Sequence, residues 1–278
     1  MLRGLWYYKG DFSAALDMAT GADTFGPRLS ANVLFLKVAY HPDYPACNVA
    51  PVYIPDTRER IRAAHARGLL VCAEAYIVPR WAKAGGQLLA LAVSEGADSA
   101  LINAEAEWEG QAGDHAEQLV RAYRASTSKP LHLCSDFRGD RLLMPYHQTF
   151  WRYIDGAHPM VYHRAFYGEP YGDLQRAFDA VFFQAFLKYK DRMPRSVPIY
   201  PVIQGYGSVD WEETLGAVIL AHMFGEGSSV YVAHDLGKRA ELGVRDGWII
   251  VESLRGERGH LTPEQKERIL AAVREALG

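Results

Sequence analysis

The 278-residue chain is 49% hydrophobic and 23% charged, which is typical of a folded globular protein and excludes a largely disordered one. Its net charge of −3 at pH 7 argues against a general nucleic-acid binder or a membrane-surface binder. No apolar stretch approaches the roughly 18 residues that a membrane span requires. At this length the chain could form two ordinary domains or one large α/β barrel.

The three cysteines, Cys47, Cys72 and Cys134, have no CxxC spacing, and an odd number cannot all pair. We interpret them as small buried hydrophobic residues of a reduced compartment, and we expect no metal and no cofactor. The first residues, MLRGLWYYKGDF, lack the apolar segment of a signal peptide, so a cytoplasmic location is expected unless another mechanism releases the protein.

Short apolar runs alternate with amphipathic helical patterns along the whole chain. The runs predict eight β-strands, at residues 3–8, 32–40, 69–76, 99–107, 130–136, 157–163, 197–204 and 229–235. Three helices have start signals, at Asp56–Glu59, Asp210–Glu213 and Thr262–Gln265, and the first of these helices is expected to end near Gly68. Strands that alternate with helices indicate βα units and a parallel sheet.

A single (β/α)8 TIM-barrel domain over residues 1–278 is the fold that this pattern favours. A doubly wound open sheet is the alternative, but no glycine-rich phosphate loop follows the first strand. Residues 247–254, GWIIVESL, are predicted to be an extra strand near the C-terminus or the eighth strand itself. In a barrel the chemistry belongs at the C-terminal ends of the strands.

The fourth predicted strand ends in an unusual row of polar side chains within SALINAEAEWEG, residues 99–110. Because a strand alternates its faces, Asn103, Glu105 and Glu107 are expected to point the same way, toward the mouth of the barrel. Carboxylates on the inner face of a buried strand are costly unless they are paired or used. Cleavage of a glycosidic bond uses such acids, one as proton donor and a second as nucleophile or base.

A lysine, Lys37, interrupts the apolar run of the second strand and could face Asn103 or Glu105 across the barrel. Its ammonium group would favour the ionised form of a nearby carboxyl group, which would hold one acid ionised while another stays protonated. A buried ion pair without a chemical role is the alternative interpretation.

Other polar and aromatic residues lie at the predicted strand ends. They are Trp6, Tyr7, Tyr8, Glu74, Tyr76, Ser135, Asp136, Tyr162, His163, Gln204, Tyr206, His234 and Asp235. Together they predict a pocket for a carbohydrate rather than an apolar ligand. The first strand, LWYYKG, lacks the HxH pair of metal-dependent barrel hydrolases. Retaining glycosidases with an Asn-Glu dipeptide ending strand four and a glutamate ending strand seven are also disfavoured, because Ala104 separates Asn103 from Glu105 and strand seven ends in Gln204.

Five segments in the same order make the chain similar to the lysozymes of glycoside hydrolase family 25, the muramidases of bacteria and many bacteriophages. They are NVLFLKVAYHPDY (32–44), IRAAHARGLLVCAEAYIVP (61–79), SALINAEAE (99–107), SKPLHLCSDF (128–137) and PVIQGYG (201–207). The resemblance places Asn103 at the family's aspartate and Glu105 at its general acid. The family's acidic residue in strand one has no counterpart in LWYYKG.

The resemblance implies hydrolysis of peptidoglycan, with Glu105 as general acid and Glu107 or Asp136 as the second carboxylate. Glu74 could also replace a missing acid, or the substrate's N-acetyl group could act as nucleophile while Asn103 orients it. The predicted sugar site comprises Trp6, Tyr8, Lys37, Glu74, Tyr76, Asn103, Tyr162 and Gln204.

The expected partner is a polysaccharide, with no nucleic acid and no membrane, and the sequence does not indicate the oligomeric state. A phage lysin or a virion-associated enzyme fits a lysozyme without a signal peptide. Two alternatives stay open: a non-catalytic glycan-binding or phage structural protein on a degenerate hydrolase barrel, and a barrel enzyme that acts on a different glycan.

Overall fold

A computed structural model describes residues 2–20, 29, 31–136, 143–162, 187–205, 209, 211–231, 236, 238–255, 262–265, 267–268 and 271. The strands are β1 (Leu2–Tyr7), β2 (Val33–Tyr40), β3 (Val52–Tyr53), β4 (Leu70–Tyr76), β5 (Ser99–Ala104), β6 (Leu131–Asp136), β7 (Gly156–Val161), β8 (Val202–Gln204) and β9 (Gly227–Tyr231). The helices are α1 (Phe12–Thr20), α2 (Thr57–Ala66), α3 (Ala82–Ser94), α4 (Gly113–Arg124), α5 (Pro145–Trp151), α6 (Leu187–Asp191), α7 (Trp211–Phe224) and α8 (Lys238–Arg255). Short 3-10 helices span Pro79–Trp81 and Ala106–Trp108.

The strands form one sheet in the order β1-β9-β8-β7-β6-β5-β4-β2-β3, and β1 also pairs with β2, which closes it. Neighbouring strands run parallel, except that β3 pairs antiparallel with β2 on the outside. The predicted (β/α)8 barrel is therefore confirmed, with one added strand. The register of β2 against β4 shifts between Lys37 and Ala39, which makes Val38 an extra residue in β2.

The prediction of a strand at residues 247–254 was wrong, because this segment lies inside α8. Val244, Trp248 and Val251 are buried at a spacing of four and three residues, while Ile249 and Ile250 are exposed. That spacing is helical, and the apolar run alone could not distinguish a strand from a buried helix. The added strand is β3, which follows β2 in the chain.

The fourth predicted strand was expected to reach Glu107, but β5 ends at Ala104. The chain then turns into the 3-10 helix Ala106–Trp108, and this turn buries the Trp108 side chain completely. The Trp108 indole N–H donates a hydrogen bond to the carbonyl oxygen of Ile77. Burial of this large ring therefore ends the strand one residue after Asn103.

The predicted helix starts are found where the structure describes them. α2 begins at Thr57 after Asp56, although the Asp56 side chain makes no capping bond and accepts one from Arg60 at 2.8 Å instead. At Thr262 the capping box is complete: the Thr262 N–H donates to Gln265 Oε1 at 2.8 Å, and the Gln265 N–H donates to Thr262 Oγ1 at 3.2 Å.

The chain divides into two compact units. The central unit comprises residues 33–159 and 188–198, and its core includes Trp108, Tyr123, Phe150 and Trp151. The terminal unit comprises residues 1–32, 160–187 and 199–278. The single-domain organisation stays a prediction.

The terminal unit contains a buried polar network among its apolar side chains. The Trp248 indole N–H donates to Ser228 Oγ, and the Ser228 hydroxyl lies 2.9 Å from His222 Nε2. All three side chains are buried, so this network satisfies polar groups that would otherwise destabilise the core. The three cysteines, all in the central unit, are buried and form no disulfide, as predicted.

No helix within the described ranges is both long enough and apolar enough to cross a bilayer.

Helix α3 packs closely on α4 at Gly86, and this contact gives a test of the fold. A Cβ atom at Gly86 would meet the backbone carbonyl oxygen of Leu119 and lie 3.0 Å from the Ala122 Cβ. Helix propensity alone predicts that Gly86→Ala stabilises the protein by about 1 kcal/mol. Because backbone atoms cannot move aside easily, we expect instead that the free energy of unfolding falls by about 1–3 kcal/mol.

Urea denaturation of Gly86→Ala measures this effect, with Gln87→Ala on the exposed face of the same helix as control. The control should change the free energy of unfolding by less than about 0.5 kcal/mol. A stabilised Gly86→Ala variant would show that the two helices are not in close contact.

Candidate active site

The acids of the central unit are brought together by the register of its parallel strands. Lys37 pairs with Glu74, Tyr76 pairs with Asn103, and Asn103 pairs with Cys134. Paired residues of parallel strands point to the same side of the sheet, so these side chains share one face. Lys37 and Glu74 are buried, 8% and 4% exposed, which places that face in the barrel interior.

Glu105 and Asp136 occupy the next step of the same ladder. Ala104, the last residue of β5, pairs with Ser135, and Asp136 ends β6. Glu105 follows Ala104 with an extended backbone, φ −108° and ψ −153°, so it continues the direction of the strand for one more residue. Three carboxyl groups therefore lie at the C-terminal ends of the consecutive strands β4, β5 and β6.

Glu74 is the most perturbed of these acids. Burial raises the pKa of its carboxyl group to about 7, the Lys37 ammonium and a hydrogen bond with Asn103 lower it, and the Glu105 charge raises it. Lys37 was expected to face Asn103 or Glu105 across the barrel, and it shares their face of the sheet, with Glu74 as its partner in the register. Its contact with either residue stays a prediction.

The Glu105 residue is exposed to solvent. Its carboxyl group is nevertheless partly surrounded by protein atoms. Burial raises its pKa, a hydrogen bond from Asn103 opposes this rise, and the Glu107 charge adds to it. The Asn103 Nδ2 donates to Glu105 Oε1 at 3.0 Å. An accessible acid that holds its proton to a higher pH than usual has the properties of a general acid.

Asn103 joins the two glutamates in one network. Its side-chain amide forms hydrogen bonds with both Glu74 and Glu105, which fixes the N–H groups toward the carboxyl groups. Its Oδ1 is buried and accepts no hydrogen bond within the described part of the chain. A buried acceptor of this kind costs about 1–3 kcal/mol, so the side chain sits in a position that stability alone does not favour.

Glu107 lies apart from the ladder, because the 3-10 helix interrupts the alternation after Glu105. Its side chain is exposed and forms a hydrogen bond with the Tyr76 hydroxyl. Burial raises the pKa of Tyr76, and the bond to Glu107 raises it further. The Tyr76 ring also meets the rings of His41 and Tyr44 edge-on, with centroids 6.1 and 5.8 Å apart. Glu107 is thus a rim residue anchored by a fixed tyrosine.

Asp136 is 9% exposed at the end of β6. Burial raises the pKa of Tyr189 on α6, and the negative charge of Asp136 is among the neighbouring groups that raise it further. The tyrosine hydroxyl therefore stays protonated beside the carboxylate of Asp136.

The aromatic residues of the predicted sugar site lie in the terminal unit, apart from Tyr76. Trp6 donates its indole N–H to Ser229 Oγ at 2.9 Å and meets the Tyr231 ring edge-on, with centroids 5.7 Å apart. The rings of Tyr162 and Tyr231 are 6.0 Å apart, and Gln204 pairs with Tyr231 in the register of β8 and β9.

Tyr231 is a site candidate that sequence reasoning missed. The run 229–235 was expected to end at Asp235; the structure describes β9 as Gly227–Tyr231, and residues 232–235 lie outside the described residues. The signal that could have identified it is the position of Tyr231 two residues after Ser229 in an alternating run. Tyr8 is half-buried immediately after β1.

Four predicted strand-end residues, His163, Tyr206, His234 and Asp235, lie outside the described residues. Within the described part of the chain, no three His, Cys, Asp or Glu side chains are grouped so that they could hold a metal ion.

No family model and no curated protein sequence matches the chain. Solved structures do match. Active domain 2 of a chitinase from Pyrococcus furiosus has a TM-score of 0.59 and 14% identity over 90% of this chain and 95% of that chain. The spore cortex-lytic enzyme SleL from Bacillus cereus has a TM-score of 0.58 and 9% identity over 88% and 74%.

The xylanase and α-amylase inhibitor protein XAIP-II from Scadoxus multiflorus has a TM-score of 0.58 and 8% identity over 91% and 98%. At these identities the similarity establishes the barrel fold alone. The barrel is thus shared with proteins named as hydrolases and with one named as an inhibitor.

The raised pKa of Glu74 predicts a specific dependence of stability on pH. Between pH 4.5 and about 7 the carboxyl group ionises in the unfolded chain but keeps its proton in the folded protein. The folded state therefore binds more protons, and the free energy of unfolding should fall as pH rises through this window, by an amount on the order of 3 kcal/mol.

Chemical unfolding at several pH values tests this dependence. Glu74→Gln should flatten the curve between pH 4.5 and 7, while the exposed Glu59→Gln should leave it unchanged. Above about pH 7 the substitution also removes the negative charge beside Lys37, so the slope between pH 4.5 and 7 is the relevant quantity. Parallel curves for wild type and Glu74→Gln would show that Glu74 does not have a raised pKa in the folded protein.

Proposed function

We propose that this protein is a glycoside hydrolase that cleaves a β-linked amino-sugar polymer, with peptidoglycan as the polymer and Glu105 as the general acid. The observation that supports it best is the ladder of Glu74, Glu105 and Asp136 at the C-terminal ends of three consecutive barrel strands. In barrel enzymes this is the edge that carries catalytic residues.

In the proposed reaction Glu105 donates its proton to the glycosidic oxygen as the carbon–oxygen bond breaks. Water supplies a hydroxyl group to the anomeric carbon, and its remaining proton returns to a carboxylate. The accessible position of Glu105 lets it reach a polymer, and its raised pKa keeps the proton available at higher pH than for an ordinary glutamate. Lys37 is further proposed to set the charge state of the neighbouring acids, since its ammonium group lowers the pKa that burial raises at Glu74.

Asp136 is the proposed second carboxylate, because it occupies the register step of Glu105 on the neighbouring strand. Glu107 is the alternative, although its side chain already accepts a hydrogen bond from Tyr76. A third possibility is that the substrate's N-acetyl group attacks the anomeric carbon while the Asn103 side chain orients it.

The sugar rings are proposed to stack on aromatic side chains, among them Tyr76 in the central unit and Trp6, Tyr8 and Tyr162 in the terminal unit. Gln204 is proposed to supply a hydrogen bond. Such rings present flat apolar faces next to polar groups, which matches the two kinds of surface on a sugar.

Two lines of support make peptidoglycan the proposed polymer. The resemblance to family 25 lysozymes includes the strand that bears Asn103 and Glu105. Two proteins with a similar fold are named as a chitinase and as a spore cortex-lytic enzyme, and their names come from action on a glycan or a cell covering. A phage lysin or a virion-associated enzyme is the proposed biological setting.

A non-catalytic glycan-binding or phage structural protein is the second candidate, and the barrel of the inhibitor XAIP-II favours it. Such a protein would not require an exposed acid with a raised pKa. The raised pKa of Glu105 and the hydrogen bond that it accepts from Asn103 support the enzyme. A barrel enzyme acting on another glycan would use the same acids.

Replacement of the proposed acid is the direct test. Glu105→Gln should reduce the release of reducing ends from purified peptidoglycan by about 10²–10⁴-fold, because the amide cannot donate a proton in the same way. Thermal unfolding should be little changed, and Glu59→Gln should retain full activity. If Glu105→Gln still releases reducing ends at the wild-type rate, another residue is the general acid. No release by the wild type from peptidoglycan or chitin would favour the binding protein.

The second carboxylate can be identified with a matched pair of variants. Asp136→Asn should lower reducing-end release by as much as Glu105→Gln, whereas Glu107→Gln should lower it by less than about 10-fold. The reverse order would identify Glu107. Equal retention of activity in both variants would favour participation of the substrate's N-acetyl group.

A further inference from the structure

A cavity of about 240 Å³ lies in the central unit beside the candidate active site. It is lined by Pro45, Ala46, Cys47, Val78, Pro79, Arg80, Glu107, Gln111 and His115. The walls come from the segments that follow β2, β4 and β5 and from the first turn of α4. Glu107 belongs to this wall and also accepts the Tyr76 hydrogen bond, so the cavity, which we call the rim cavity, adjoins the row of acids.

Hydrogen bonds hold the walls of the rim cavity in place. The Asp43 carboxylate accepts the backbone N–H groups of Asn48 at 2.7 Å and Val49 at 3.2 Å, which fixes the segment after β2. The Trp81 indole N–H then donates to the carbonyl oxygen of Cys47 at 3.1 Å, and Arg80 Nη1 donates to Asn48 Oδ1 at 2.7 Å. The cavity is therefore formed before any ligand binds.

The rim cavity has a cation on one wall and an anion on another. Arg80 uses one N–H for Asn48, and its guanidinium group makes no other hydrogen bond within the described residues. Burial and the charges of Asp43 and Glu107 raise the pKa of the Cys47 thiol, and the Arg80 charge opposes them. A ligand in the rim cavity would therefore be close both to the Arg80 guanidinium group and to the Glu107 carboxylate.

These features define the chemistry of a ligand. The remaining N–H groups of Arg80 match a carboxylate, which a guanidinium can bind through two parallel hydrogen bonds. Glu107 accepts hydrogen bonds from hydroxyl or amide N–H groups, and Val78 and Pro79 offer apolar contact. The volume is below the about 300–1,000 Å³ of sites for larger ligands, so it suits one sugar ring or its substituent.

We propose that the rim cavity binds a carboxylate-bearing sugar of the substrate and that Arg80 determines this specificity. The proposal rests on the proposed glycoside hydrolase function and narrows its substrate class. A neutral polymer such as chitin offers no carboxylate to Arg80. The carboxylate can come from the lactyl ether of a muramic acid that carries no stem peptide, or from a uronic acid in another polysaccharide.

Binding of monosaccharides tests the proposal without relying on turnover. Titration calorimetry would compare N-acetylmuramic acid, glucuronic acid and N-acetylglucosamine on the wild type, Arg80→Gln and Arg62→Gln. The last variant removes the same charge from an exposed position on α2. We expect at least one acidic sugar to bind about 10-fold or more tightly than N-acetylglucosamine, Arg80→Gln to abolish this preference, and Arg62→Gln to retain it.

The two acidic sugars distinguish the two sources. Preference for N-acetylmuramic acid assigns the cavity to peptidoglycan, and preference for glucuronic acid assigns it to a uronic-acid polymer. Equal binding of all three sugars, absence of binding by both acidic sugars, or a preference that survives in Arg80→Gln would overturn the proposal. Arg80-dependent binding without hydrolysis of any glycan would contradict the proposed hydrolase function but not the proposed binding site. Hydrolysis without that binding would contradict the proposed binding site but not the hydrolase function.

Discussion

Lys37 and Glu74 lie side by side on neighbouring strands, and both side chains are removed from water. An isolated charge in that position would cost several kcal/mol, so burial raises the pKa of Glu74 and the neighbouring Lys37 ammonium lowers it. The pair is attached to Asn103, and through it to Glu105. The ladder of polar groups thus runs from the barrel interior outward, and the buried pair at its base restricts how the outer acid can be oriented and charged.

The outer end of the ladder differs from its base in how water reaches it. Glu105 is exposed, Asp136 is mostly covered, and Glu107 is held at the rim by Tyr76. Three acids of one chemical type therefore occupy three different environments at or just beyond the ends of β5 and β6. Differences of environment, rather than of residue type, are what allow carboxyl groups to take separate roles in proton transfer.

The alternation of apolar runs and helical patterns was sufficient to predict the barrel, because both periodicities are local properties. The ladder was predictable as far as Glu105 for the same reason. Its continuation to Glu107 was not, since the burial of Trp108 against Ile77 ends the strand and is a tertiary effect. The pairing of Lys37 with Glu74 depends on the register between strands, which a single run does not reveal. The contacts of the Tyr231 ring with Trp6 and Tyr162 depend on packing between distant segments, which a single run does not reveal either.

The extra residue in β2 affects which parts of the sequence can change during evolution. Val38 absorbs the shift in register, so both Lys37 and Ala39 keep partners on β4. The segment from His41 to Val49 begins beyond these paired residues. Insertions or deletions there could reshape ligand preference without displacing the charged pair, so this barrel separates the part that can diversify from the part that must stay constant.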